Sequence, residues 1–215
     1  KASTTVPGEM PDTQTDDLTR LPWSAQEAQA AADEAGEDGV LLALGFEANR
    51  TLATDEALGR YRVVHFATHG VLDTHNPELS GLALSRYDAT GRTQPSFLRL
   101  HDIYPLEWQS ELVVLSGCRT ALGPTVRGEG VVGLARGFLH TGARQVVASL
   151  WSVRDRATAE LMRRFYQGLF RQRLTPAAAL QQAQRSMWQQ HRWRDPYFWA
   201  PFILIGDWQA TEATP

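Results

Sequence analysis

The sequence predicts an α/β fold, a three-layer sandwich in which a mostly parallel sheet lies between helices on both faces. Candidate strands such as ELVVL (111–115) and RQVVASL (144–150) hold continuous apolar runs rather than an alternating pattern, as strands buried on both faces do. These strands alternate along the chain with segments that read as helix, and parallel strands need such crossovers between them. The size agrees: 215 residues, 43% of them hydrophobic and 21% charged, suit one ordinary globular domain with one sizeable core.

Residues 1–20 are polar, contain Pro7, Gly8 and Pro11, and show no apolar period. They read as a flexible linker or processed N-terminal segment ahead of a domain over 21–215. Ala, Gln and Glu dominate residues 24–35 and predict a helix, with Ser24 as its cap. Residues 40–44 read as a short buried strand, and a short helix is expected around 55–58. The run YRVVHFAT (61–68) is β-branched and aromatic and is cut off by Gly70, which predicts a strand entering a turn. Between Asp73 and Arg99, turn residues surround an apolar island at 82–84, the pattern of a loop that holds a hairpin. The strand 111–115 stops at Ser116-Gly117-Cys118. A helix over 130–141 meets Gly142 where a left-handed cap is needed. Strand 144–150 and helices 157–170 and 176–190 follow, the last helix with Thr175 as cap and Pro176 in its first position. A strand over 202–205 closes the domain, flanked by Trp199 and Trp208, which with Trp188 and Trp193 read as core and groove-lining rings.

Composition narrows the function. A net charge of −3, with the Arg residues spread among acids, leaves no basic stripe for nucleic acid. No apolar run approaches the roughly 20 residues of a membrane span, and no signal peptide is visible. One cysteine cannot form an internal disulfide, which fits a reducing compartment, and a cytoplasmic location is expected. The His residues lack paired ligand spacing, and Arg127-Gly128-Glu129-Gly130 lacks the Lys-Ser or Lys-Thr of a phosphate loop, so neither a metal nor a cofactor is expected. The first residue is Lys rather than Met, and an upstream region is expected.

The chemistry concentrates at two strand ends. His69 follows one apolar strand and Cys118 another, and in open α/β sheets functional groups gather past the carboxyl ends of strands. If the two strands are neighbours, both side chains face one crevice. An imidazole there would stabilise the thiolate and later hand its proton to a leaving amine, which makes an acyl-transfer site. Gly70 and Gly117 leave room for backbone N–H groups to approach a carbonyl oxygen. The competing reading is that Cys118 is a small buried hydrophobe and the histidine a structural group. His65, upstream on the same strand, is read as structural. What favours catalysis is the joint pattern, a His-Gly and a Gly-Cys turn about 50 residues apart in the order known for caspases.

Four segments carry a closer likeness. VVHFATHG, VVLSGCRTALG, GEGVVGLARGFLHTGARQVVASLWSV and DPYFWAPFILIGDW, in this order between residues 21 and 208, resemble the CHAT domain, a bacterial relative of caspases and separases often found behind tetratricopeptide repeats. The resemblance implies a caspase-like fold and a cysteine endopeptidase with His69 and Cys118 as catalytic dyad. It also implies backbone N–H groups of Gly70 and Cys118 as oxyanion hole, and a protein or peptide substrate. By likeness to separases, Asp155 would bind a basic side chain before the scissile bond; the alternative is that it favours the start of a helix. Glu129 either lines the site or caps the helix that follows. The family carries further N-terminal strands, and none is visible in 1–20, so part of the fold is expected on another segment. An interaction module with weak catalysis is the main alternative function, and a small-molecule thiol hydrolase a third.

Overall fold

The computed structural model describes residues 18, 20–36, 38–71, 79–117 and 129–208, with side chains from residue 132 onward in the last span. Its strands, in chain order, are β1 (Val63–Phe66), β2 (Gly70–Val71), β3 (Gly81–Ala83), β4 (Phe97–Arg99), β5 (Leu112–Leu115), β6 (Gln145–Ser149) and β7 (Phe202–Gly206). The α-helices are α1 (Ser24–Ala35), α2 (Arg50–Ala53), α3 (Leu100–Ile103), α4 (Glu129–His140), α5 (Asp155–Tyr166) and α6 (Pro176–Trp188).

The central sheet runs β1-β5-β6-β7. Its first three strands are parallel, with Val63 opposite Leu112 and Phe66 opposite Leu115, while β7 returns antiparallel on β6. The other sheet, β2-β3-β4, is antiparallel and realises the hairpin expected around the apolar island at 82–84. Successive residues of a strand point to opposite faces, and here each face meets its own core. Val113, Leu115, Val146 and Ala148 pack with Phe66, Trp108 and Phe138 of α4. Leu112, Val114 and Val147 pack with Leu161 and Phe165 of α5 and Met187 of α6. α1 lies against α5 in that second helical layer. Helices therefore cover both faces of a mostly parallel sheet, the predicted α/β sandwich.

Local chemistry sets several boundaries. Gly142 has φ +112°, and its N–H donates to Leu139 O while Ala143 N–H donates to Phe138 O, the left-handed ending expected for α4. A Cβ at this glycine would collide with the Trp108 carbonyl. Thr175 Oγ1 accepts from Ala178 N at 3.3 Å and caps α6. α5 runs on through a wider turn at Gln167–Arg171.

Four expectations are corrected. Ser24 does not cap α1: it is the first helical residue, and its hydroxyl donates to Leu21 O at 2.9 Å. Residues 40–44 form no strand, and Val40 and Leu41 are 37% and 48% exposed; apolar composition alone does not supply a hydrogen-bonding neighbour. The strand read over 61–68 pairs only at Val63–Phe66. Trp188 and Trp208 are exposed, while Trp193 is buried. Among the described residues β1 is the outermost strand of its sheet, and a cavity of about 1150 Å³ lies beside it, lined by 40–44 and one side of α1.

Phe138 is fully buried between Phe66 and Trp108. Phe138→Ala is expected to cost about 3–5 kcal/mol through lost burial and the cavity left behind, measured by urea denaturation.

Candidate active site

Parallel pairing sets the carboxyl ends of β1 and β5 side by side. Ser116 N donates to Phe66 O at 3.3 Å, and Gly70 N donates to Gly117 O at 2.7 Å. The loop that carries His69 is tied to the second sheet, because Ala83 N donates to His69 O at 2.8 Å and the Thr68 hydroxyl donates to Ala83 O. Residue 117 has to be glycine here, since a Cβ would run into the Thr68 carbonyl oxygen.

A cavity of about 40 Å³ opens at this junction among the described residues, room for water. His69, Ser116 and Gly117 wall it on the strand side; Glu27 and Ser24 of α1 and Asp155 of α5 wall it on the helix side. Asp155 opens α5, so both positions weighed for it from the sequence, helix start and site wall, are occupied by the same residue. Its Oδ2 accepts from Trp23 N at 2.6 Å. Burial raises the pKa of this carboxyl; the Trp23 hydrogen bond opposes the shift, the Glu27 charge adds to it, and His69 opposes it.

Below the cavity is a buried polar cluster. Glu27 is 2% exposed, and its Oε1 lies 3.0 Å from His65 Nε2. The same Nε2 lies 3.0 Å from Ser116 Oγ. The His65 ring packs on Tyr166, with centroids 5.5 Å apart. Desolvation first, and then the Glu27 charge, push the Tyr166 hydroxyl pKa well above its ordinary value.

Of the residues singled out in the sequence, His69 and Asp155 meet at one cavity. The Gly70 N–H donates to the Gly117 carbonyl in this conformation. Cys118 lies outside the described residues; Glu129 opens α4, and its side chain is likewise outside them. Sequence reading missed the contribution of α1. Glu27 lies one turn before Ala31, which packs against the core on the inward face of α1.

An α/β sandwich whose first two parallel strands end at a His-Gly turn and a Ser-Gly turn beside one cavity defines a caspase-like architecture. The CHAT domain model matches residues 7–207, and the chain belongs to that family, within the caspase-like cysteine peptidase superfamily. It is 34% identical over 113 residues to human tetratricopeptide repeat protein 28, which is 53% of this chain and 4% of that protein. The mouse protein of the same name is 35% identical over 105 residues, 49% of this chain and again 4% of the relative. The chain thus spans a small fraction of these relatives. Among the described residues, no helix is long and apolar enough to cross a membrane.

The raised pKa of Asp155 has a stability consequence. Above that folded value the carboxylate carries a charge the fold disfavours, and the penalty fades as pH falls through it towards the unfolded value. Asp155→Asn keeps an oxygen for Trp23 N, so it is expected to raise the melting temperature at pH 7. Melting curves over a pH series should show that gain vanish under acid conditions.

Proposed function

We propose that this chain is a cysteine endopeptidase domain that cuts a protein partner, with Cys118 as nucleophile and His69 as base. The observation that carries the reading is the β1–β5 pairing, which seats His69 in one cavity with Gly117, the residue before Cys118. The imidazole takes the thiol proton, and the thiolate attacks the scissile carbonyl carbon while the C=O electron pair moves onto oxygen. Collapse of that intermediate breaks the C–N bond, and His69 returns the proton to the departing amine. Water then hydrolyses the thioester. The oxyanion is held by the N–H of Cys118 and by that of Gly70, once the Gly70 bond to the Gly117 carbonyl is exchanged for one to substrate.

Asp155 and Glu129 are the proposed substrate-binding groups. A partly buried carboxylate with a raised pKa gains most from a cation that it can hydrogen-bond, which favours an Arg or Lys before the scissile bond. Control by an upstream repeat region is proposed from the likeness to tetratricopeptide repeat proteins, and a cytoplasmic setting from the single thiol.

The small volume of the cavity and the engaged Gly70 N–H favour a second reading, a docking module that uses the peptidase fold without turnover. A labelled peptide chloromethyl ketone separates the two. Covalent labelling at Cys118, lost in Cys118→Ala and slowed about 10²-fold or more in His69→Ala, supports the peptidase; no labelling with any peptide supports docking.

A peptide-library digest tests specificity separately. Cleavage after Arg or Lys is expected, and Asp155→Asn should lower kcat/KM for those peptides about tenfold or more while sparing uncharged ones. Equal loss on both classes would leave Asp155 as a helix-start residue only.

A further inference from the structure

The proposed mechanism leaves one buried cluster unused. Glu27 on α1, His65 on β1 and Ser116 at the end of β5 are joined through a single nitrogen, His65 Nε2, which is 3.0 Å from Glu27 Oε1 and 3.0 Å from Ser116 Oγ. Glu27 is 2% and Ser116 3% exposed. A carboxylate held this deep is costly unless it is paired, and α1 would pack better with an apolar residue there.

The position of the cluster gives it a use. Ser116 is followed by Gly117, whose carbonyl accepts from Gly70 N, so any displacement of Ser116 moves both strand ends at the cavity. α1 is bound to the site a second time, through Trp23 N and Asp155 Oδ2 at 2.6 Å. One helix therefore approaches the β5 end through Glu27 and the start of α5 through the residue just ahead of its first turn.

We infer that Glu27 is a positioning residue: acting through His65, it fixes Ser116 and so the strand end from which the nucleophile turn departs. The inference rests on the peptidase reading for its consequence, while the positioning itself is read independently of turnover. Nε2 sits 3.0 Å from each of the two oxygens, while Glu27 Oε1 and His65 Nδ1 have no hydrogen-bond partner among the described residues. Seating α1 thus becomes a condition for a competent site, and tension on the chain ahead of α1 would act at the cavity.

Cys118 is the only cysteine, so its second-order alkylation by iodoacetamide reports the turn cleanly, with or without a peptide substrate. Glu27→Leu keeps the packing and removes the link; Glu27→Gln keeps the shape and an oxygen facing Nε2. We expect Glu27→Leu to melt no lower than the parent yet to alkylate about tenfold more slowly, and to lose kcat with KM little changed, as a slightly misplaced reacting group does. Glu27→Gln should restore most of both. Ser116→Ala should slow alkylation as Glu27→Leu does, and the double variant should be no slower than either single one. Ala31→Gly, which loosens α1 elsewhere, should leave the alkylation rate unchanged. Parent-like alkylation in Glu27→Leu, failure of Glu27→Gln to restore the rate, or losses that multiply in the double variant would overturn the positioning role. If alkylation responds as expected but no peptide is cleaved, the peptidase reading fails and the positioning role stands.

Discussion

Two neighbouring parallel strands leave a sheet in the same direction, and here that constraint decides where every group of interest ends up. β1 and β5 pair in register from Val63 and Leu112 to Phe66 and Leu115, so the chain exits both at the same height. The backbone then continues the pairing past the sheet, through Ser116 N to Phe66 O and Gly70 N to Gly117 O. Close approach at Gly117 admits no side chain. His69 is held from the other side by the small antiparallel sheet, through its carbonyl and Ala83 N. A slip of one residue in the β1–β5 register would turn each strand's side chains to the opposite face and separate the two ends.

The helical layer over this junction does more than cover the sheet. Leu161, Phe165 and Met187 supply the apolar contact that buries Leu112, Val114 and Val147. α1 supplies little apolar bulk and instead brings polar groups: Glu27 to His65 and Trp23 N to Asp155. Buried polar links of this kind add little net stability compared with an apolar core; what they fix is geometry. After burial, the Glu27 charge also helps keep the Asp155 carboxyl easier to protonate than usual.

Much of the fold was legible because its causes are local. The strand at 112–115 showed itself by continuous apolarity, since it is buried on both faces. The end of α4 showed itself at Gly142, where backbone geometry leaves little choice of residue, and the start of α6 at Thr175 and Pro176. His69 stood out because it ends a strand beside a glycine, and Asp155 through the likeness to separases. Family motifs covered the same ground and led to the same fold.

By itself the sequence determined the layered α/β architecture, the order of its elements and the two turns, because hydrophobic period and glycine placement act within a few residues. Tertiary structure alone decided which groups meet. Residues 40–44 have the composition of a strand yet stay unpaired, because pairing depends on what lies alongside. Ser24 has the chemistry of a cap, yet it is the N–H of Trp23, just ahead of α1, that Asp155 holds from 132 residues away. Glu27 is buried only because packing sets α1 over the end of β5. Contacts across such separations are set by how the layers close, and no local pattern encodes them.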